Sequence, residues 1–235
     1  MDGLYLQLAT DSNALGSSTW ELQNDHIVCS IFGPDECNNN DELIHRARIC
    51  VKITASSVFP NNKLFIVEKF LENLIESVLD VREFPHLKLS FEIQVVSGIT
   101  DSASCVAAMV NALTLALLQS FIPIHATPAS VSIDLFGKEV AIIVDLAHPS
   151  FSSSLKYSKN LCETNAIIGT YFDRSKSIIS QPIDYHQLHS LYDLLQKDPS
   201  SFQGKTTPIS EAAEFCRNRI ISINDLILNK FTPSL

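Results

Sequence analysis

The sequence predicts an α+β fold, with mostly antiparallel sheets around a central buried helix, in a single domain spanning residues 1–235. Residues 87–95 alternate apolar and polar side chains without exception, which is the period of a strand with one buried face. Residues 101–118 follow with about five helical turns that contain no Lys, Arg, Glu or Gly. A helix that is apolar on nearly all sides is normally buried on nearly all sides. The other strands pair mainly through hairpins, which excludes a doubly wound βαβα sheet.

Composition favours a globular chain, because 46% of the residues are apolar and 18% are charged. No window reaches the ~20 apolar residues that a membrane span requires. The longest candidate, 106–118, is too short and contains Asn111 and Thr114. The first residues lack a basic segment followed by an apolar one, so we expect neither a secretory signal nor a membrane partner.

None of the six cysteines forms a C-x-x-C pair, and several lie within apolar runs. We therefore expect reduced core residues of an intracellular protein. They are Cys29, Cys37, Cys50, Cys105, Cys162 and Cys216. His186 and His189 are three residues apart, but no Cys or carboxylate lies at metal-site spacing from them, so a helix surface is the favoured interpretation. We expect no metal and no cofactor.

The net charge of −9 argues against an autonomous nucleic-acid-binding protein. The 17 basic residues occur singly or in pairs, and no run of Lys or Arg forms a patch. If the chain meets nucleic acid, other proteins must supply much of the positive field.

The first half of the chain is predicted to hold four strands before the central strand, and one helix. The strands are a short one at 4–9, a hairpin of 17–22 and 26–32 over a turn at 23–25, and one at 47–54. We expect Gly33-Pro34 to end the hairpin. Arg46, Arg48 and Lys52 would then face solvent or a partner. An amphipathic helix follows, capped by Asn61 or Asn62 and running to residue 78.

The second half adds two hairpins and two helices to the prediction. Strands at 131–135 and 140–145 flank a turn at Gly137-Lys138, and strands at 165–172 and 177–180 form a second hairpin. Helices are expected at 184–196 and from 208 to about 227.

Several motifs in this order and spacing resemble those of the ribonuclease PH family, and among its members the ring subunits of the eukaryotic RNA exosome. They are Gly16-Ser17-Ser18 before Trp20, Gly33-Pro34-Asp35-Glu36, Phe84-Pro85-His86, the run from Val110-Asn111-Ala112 to Ile122-Pro123, and Ile143-Val144-Asp145. The resemblance implies a ribonuclease PH-like fold, of the ribosomal protein S5 domain 2-like type. It also implies sibling subunits in heterodimers that close a six-membered ring, S1/KH cap proteins, and RNA in the assembled channel. Nucleus, nucleolus and cytoplasm are the implied locations.

The resemblance also shows where catalytic chemistry would lie. Active relatives carry a G-T-R turn that cradles phosphate at the start of the central helix, and here that position reads Ser104-Cys105-Val106. Their carboxylates follow the V-L-D strand, but no acid lies between Asp145 and Glu163. The Arg of their F-P-R motif is His86 here. We therefore predict no catalytic residues and a non-catalytic subunit that supports RNA processing, including ribosomal RNA maturation.

Two alternatives stay open. A working exoribonuclease could use an unrecognised site, for which His26, Asp134 and Asp145 are the candidates. A small-molecule enzyme of the same architecture would need a Gly-rich phosphate loop, and none is visible among seven glycines. For RNA contact, the resemblance points to the loop at 54–64 through Lys63, its only cation, and then to Arg82 on the turn before the central strand.

Overall fold

The computed structural model describes residues 4–37, 42–55, 61–100, 102–135, 138–145 and 167–172. Within these ranges the chain forms eight strands, two α-helices and one short 3-10 helix, Val81–Glu83. The strands are β1 Tyr5–Leu8, β2 Gly16–Leu22, β3 Asp25–Glu36, β4 Arg48–Ala55, β5 Leu87–Ser97, β6 Pro128–Leu135, β7 Lys138–Asp145 and β8 Ile167–Phe172. The helices are α1 Asn61–Val78 and α2 Ala103–Ser120.

The first sheet has the strand order β1-β2-β3-β5-β4. The pairs β1–β2, β2–β3 and β3–β5 are antiparallel, which confirms the predicted hairpin of β2 and β3. β4 instead pairs with β5 in parallel, because α1 returns the chain to the end of the sheet at which β4 began. The alternating pattern of β4 was read correctly as a strand, but alternation carries no information on direction.

The second sheet has the order β6-β7-β8, and both of its pairings are antiparallel. The predicted hairpin of β6 and β7 is confirmed, with Leu135 opposite Lys138. β8 confirms the predicted strand at 165–172 and pairs with β7. Its predicted hairpin partner at 177–180 and the helices at 184–196 and 208–227 lie outside the described residues.

Helix α2 lies between the two sheets, with β2 and β3 on one side and β6 and β7 on the other. Its length and composition would allow it to cross a membrane, but 83% of the helix is buried inside the fold. Two of its buried polar residues, Asn111 and Thr114, bond to β6. Asn111 Nδ2 donates to Ser130 O at 2.9 Å, Ser130 N donates to Asn111 Oδ1 at 2.8 Å, and Thr114 Oγ1 donates to Pro128 O at 2.6 Å. These bonds satisfy the buried groups and fix the helix against the second sheet.

β2 approaches α2 more closely than a strand with ordinary side chains would allow. A Cβ atom on Gly16 would lie 2.2 Å from the carbonyl oxygen of Ala116, so only glycine fits there. Ser18 Oγ donates to Ala112 O at 2.6 Å. The small residues of the Gly16-Ser17-Ser18 motif therefore let the first sheet and the helix pack backbone to backbone.

Helix α1 begins at Asn61, so Asn61 and Asn62 are its first helical residues and not the predicted cap, and it ends at Val78, as predicted. Its apolar side covers the β4 end of the first sheet. Two of its acids have a further role. Glu68 Oε1 accepts from Ile53 N at 2.9 Å, and Glu72 Oε1 accepts from Val51 N at 3.4 Å. These N–H groups lie on the outer edge of β4, which has no strand beyond it in the described sheet.

Two boundaries of the β2–β3 hairpin differ from the sequence prediction. β3 does not end at Gly33-Pro34 but continues to Glu36, because a register shift between Phe32 and Asp35 absorbs the two residues and pairing with β5 resumes. The β2–β3 turn contains only Gln23 and Asn24, since Leu22 pairs with Asp25. None of the four described cysteines forms a disulfide: Cys29 and Cys105 are buried, as predicted for core residues, whereas Cys37 and Cys50 are half-buried. Cys162 and Cys216 lie outside the described residues.

Candidate functional site at the start of helix α2

The start of α2 is the position at which active relatives would hold phosphate, and a serine cap satisfies one of its free N–H groups here. Ser102 is the N-cap residue, with extended backbone. Its Oγ accepts from Cys105 N at 3.2 Å and donates to Ile99 O at 2.8 Å. One of the helix N–H groups that could otherwise bind an anion is therefore already bonded within the chain.

Val106 occupies the position that the resemblance assigns to the phosphate-binding Arg, and it is fully buried. Its N–H donates to Ser102 O at 3.0 Å as part of the first helical turn. Cys105 beside it is also fully buried. The side chain at position 106 therefore belongs to the hydrophobic core and offers no charge to a substrate.

An acid that the sequence prediction treated only as a turn residue lies beside this helix start. Asp25, the first residue of β3, accepts a hydrogen bond from the Ser104 side chain. It also packs against the turn before α2, since a Cβ atom on Gly98 would lie 2.5 Å from Asp25 Oδ1. Burial raises the pKa of Asp25 above its ordinary value, and the bond from Ser104 partly offsets this. A carboxylate here opposes the binding of phosphate.

His86, the counterpart of the Arg in F-P-R, lies far from Val106. It immediately precedes β5, whereas α2 starts after β5 has ended, so the two positions are separated by the length of Leu87–Ser97. Ten strand steps of about 3.3 Å make that roughly 33 Å. His86 Nδ1 lies 2.5 Å from Glu42 Oε1. Within one chain the two lost Arg positions do not form one site.

The two predicted RNA-binding residues are likewise not brought together. Lys63 lies in the first turn of α1, and Arg82 lies in the 3-10 helix just beyond its last turn. Fifteen helical steps of about 1.5 Å, from residue 63 to residue 78, place them roughly 22 Å apart or more. Arg82 is exposed, and its backbone N–H donates to Asp80 Oδ1 at 3.3 Å. Whether either residue contacts RNA stays a prediction.

The acids considered for an alternative catalytic site are also dispersed. Asp134 pairs with Glu139 near the turn of the β6–β7 hairpin, whereas Asp145 pairs with Pro128 at its open end. Six strand steps of about 3.4 Å separate these positions by roughly 20 Å. His26 belongs to the other sheet. Within the described ranges no group of three His, Cys, Asp or Glu side chains could hold a metal ion. The segment 149–157, which follows β7 where active relatives carry their carboxylates, lies outside the described residues.

Comparisons with known proteins agree with this fold. Residues 4–123 match the model of the 3′ exoribonuclease family related to ribonuclease PH, domain 1. The chain is 22% identical over 121 residues to the exosome complex component rrp46 of Schizosaccharomyces pombe, covering 52% of this chain and 53% of that protein. It is 27% identical over 149 residues to a putative exosome complex component RRP41 of Caenorhabditis briggsae, covering 60% of each. The chain thus matches between about half and three-fifths of these relatives' lengths.

Solved structures resemble the whole chain more completely than the sequences do. Rrp46 from rice (Oryza sativa) superposes with a TM-score of 0.63 at 14% identity, covering 97% of this chain and 94% of that one. A chain of an archaeal exosome core gives 0.54 at 12% identity, with 93% and 86% covered. At these identities the likeness concerns the fold, and it confirms the predicted ribonuclease PH-like α+β architecture. With the family model matching just over half of the sequence, the chain belongs to the ribonuclease PH family of 3′ exoribonucleases.

Proposed function

We propose that this chain is a non-catalytic ring subunit of the eukaryotic RNA exosome, supporting 3′-to-5′ RNA processing and degradation, including ribosomal RNA maturation. Its family and the Rrp46 and RRP41 names of its relatives support the assignment to an exosome core ring. The fold shared with rice Rrp46 over nearly the full chain agrees with it.

One observation supports the non-catalytic part of the proposal. The helix start that would have to hold phosphate presents a buried Val106 and a neighbouring Asp25 carboxylate in place of a cation. Phosphorolysis requires positive groups around phosphate and the RNA backbone. A valine supplies no charge, and an acid supplies the wrong one.

An active phosphate-dependent 3′-to-5′ exoribonuclease is the second candidate. The observation in its favour is that the RRP41-named relatives are 27% and 28% identical, against 22% for the rrp46-named one. This candidate would need a catalytic acid and a phosphate-binding cation from residues beyond the described ranges or from a neighbouring subunit.

The two candidates are separated by measuring nucleoside diphosphate release from RNA in the presence of phosphate. We expect none from the purified full chain, and we expect the assembly that co-purifies with a tagged chain to be unaffected by Ser104→Ala. The matched control is Ser97→Ala, at the end of β5. Diphosphate release by the chain alone would establish the active enzyme. A Ser104→Ala assembly slowed tenfold relative to the Ser97→Ala assembly would show that the start of α2 contributes to phosphorolysis by the assembly, which contradicts the non-catalytic proposal.

The proposed partners are ribonuclease PH-like siblings that pair with this chain and close a six-membered ring, together with S1/KH cap proteins and RNA in the channel. A single domain over residues 1–235, and residence in the nucleus, nucleolus and cytoplasm, belong to the same proposal. Purification of a tagged chain tests the partners directly, because a defined set of ring subunits must accompany it. A chain recovered only as a monodisperse monomer would contradict the ring.

A further inference from the structure

A cavity of about 220 Å³ opens beside the start of α2, between the β2–β3 hairpin and strand β6. We call it the Trp20 cavity. Ala107 and Ala108 of α2 leave its volume open, because both are small residues on the helix face toward it. Trp20, Asp25 and Ser130 are among the polar residues that line it. It is separate from Val106, which is not among its lining residues.

Two buried polar atoms of the lining residues have no hydrogen-bond partner within the described part of the chain. They are Trp20 Nε1 and Ser130 Oγ, and each residue is only 1% exposed. The N–H and the carbonyl oxygen of Ser130 both bond to the side-chain amide of Asn111, so the hydroxyl of Ser130 is its only polar group without a partner in the described residues. An unpaired buried polar atom costs about 1–3 kcal/mol, and such atoms are uncommon in native proteins. Two of them around one cavity indicate that something else completes their bonds.

The charges of the lining restrict the chemistry of the occupant. None of the described lining residues is Lys, Arg or His, and Asp25 contributes a carboxyl group. An anion would meet that acid with no cation to balance it, so phosphate and carboxylate ligands are disfavoured. Leu22, Val131 and the two alanines form apolar walls. The occupant is therefore not an anion, and it needs apolar faces for these walls and an acceptor atom for the indole N–H, which a simple ammonium ion lacks.

We propose that the Trp20 cavity binds a nucleobase. A nucleobase is a flat heterocycle with carbonyl or ring-nitrogen acceptors beside N–H donors, and unpaired bases are read through such edges. The cavity is smaller than the roughly 300–1,000 Å³ typical of drug-sized ligands, which suits a single heterocycle. The base could come from a free nucleoside or from an unpaired residue of single-stranded RNA, and only the second source rests on the proposed function.

The chain carries its own reporter of occupancy, because Trp20 is its only tryptophan. In ¹⁵N-labelled full-length protein the indole Nε1–H gives one cross-peak, and a new hydrogen bond to it shifts that peak. The chain is titrated separately with ribonucleosides of each base, with single-stranded RNA and with inorganic phosphate. A shift with nucleosides supports a free-nucleoside site, and a shift with RNA alone supports an RNA base. No shift with either, or a shift with phosphate alone, would overturn the proposal.

A blocking variant and its control make the test specific. Ser132→Ile narrows the cavity from the half-buried position next to Val131 and should weaken binding at least tenfold. Ser90→Ile makes the same change at a half-buried position of β5 away from the cavity and should leave affinity within twofold. Ser130→Ala removes the buried hydroxyl without adding volume and should weaken binding severalfold. It tests the site even if Ser132→Ile does not fold. Wild-type affinity in Ser130→Ala and in any folded Ser132→Ile would refute the site. Because free nucleosides and the isolated chain suffice, failure here would leave ring assembly untouched.

Discussion

At the scale of single residues, Phe121 is the clearest departure from local preference. It follows α2 in the left-handed backbone conformation, with φ of 58° and ψ of 15°, and its side chain is 94% exposed. A side chain in this conformation costs roughly 1–2 kcal/mol relative to the right-handed one, and an exposed ring recovers none of it through burial.

We expect Phe121→Gly to stabilise the isolated chain by about 0.5–1 kcal/mol, since the relieved strain outweighs the added entropy of the unfolded chain. Phe121→Ala keeps the Cβ atom and removes only the ring, so it should change the free energy of unfolding by less than about 0.5 kcal/mol. Urea unfolding of the three proteins measures both effects. Equal stabilisation by Ala and Gly would show that the ring, not the backbone, is responsible.

Asp25 gives a prediction on pH. Burial, the larger effect, raises the pKa of its carboxyl group above the ordinary 3.8, while the bond from Ser104 lowers it. The folded state therefore holds this proton more tightly than the unfolded state, so wild-type stability falls as pH rises from 3.8 through the raised pKa. Asp25→Asn should be the more stable protein above that window. The gain should stay below about 1 kcal/mol, because the side chain is only half-buried.

Urea unfolding across the acid range checks this, with Ser104→Ala as the companion variant. Without the bond from Ser104 the pKa of Asp25 should rise further, so the pH window should widen. The difference between Asp25→Asn and wild type must vanish below pH 3.8, where both side chains are neutral. A gap that persists there would mean that the amide makes a contact of its own.

At the scale of elements, the bonds from Glu68 and Glu72 close the outer edge of β4, which would otherwise offer free N–H groups to another strand. We expect Glu68→Ala with Glu72→Ala to cost about 1–2 kcal/mol and to speed amide hydrogen exchange at Val51 and Ile53. Replacing both with Gln keeps an acceptor oxygen and should preserve most of the protection. Native-state exchange measured by NMR reads these amides individually.

Glu76→Ala is the matched control on the same helix. Glu76 pairs with Arg46 at 2.9 Å, and the two side chains are 33% and 48% exposed. An ion pair so exposed contributes little, so the variant should change stability by less than about 0.5 kcal/mol. It should leave the amides of Val51 and Ile53 as protected as in wild type. Faster exchange in Glu76→Ala as well would mean that α1 as a whole, not its edge bonds, protects β4.

The elements also show what sequence patterns determine here. Strict alternation from residue 87 predicted β5, because burial of one face of a strand leaves an alternating pattern. The run of apolar residues predicted α2, because burial of a helix on all sides leaves a nearly uninterrupted apolar stretch. The parallel pairing of β4 left no such signature, since it depends on where α1 returns the chain. Asp25 read as a turn residue, and only the packing of the hairpin against α2 placed it beside Ser104. Trp20 and Ser130 became notable only when two sheets enclosed one cavity.

At the scale of the whole molecule, the separation of Lys63 and Arg82 sharpens the prediction about RNA. The two residues lie at opposite ends of α1, so one RNA strand crossing one end of the subunit contacts one of them. In the assembled ring we expect Lys63→Ala and Arg82→Ala to act independently. Sites more than about 7–10 Å apart usually show additive free energies, so the double variant should equal the sum of the two single ones.

RNA protection by the assembled ring, measured at several salt concentrations, tests this. If a residue contacts phosphate, replacing it with Ala should lower the RNA affinity severalfold and reduce the salt dependence of binding by about one counterion. Replacing a solvated surface charge should change neither quantity. The free subunit, with its net charge of −9, should bind RNA weakly with or without the changes. Strong coupling between the two variants would mean that both residues contact one RNA path, which the length of α1 does not favour. Unchanged RNA protection by the double variant would show that neither residue contacts RNA in the channel.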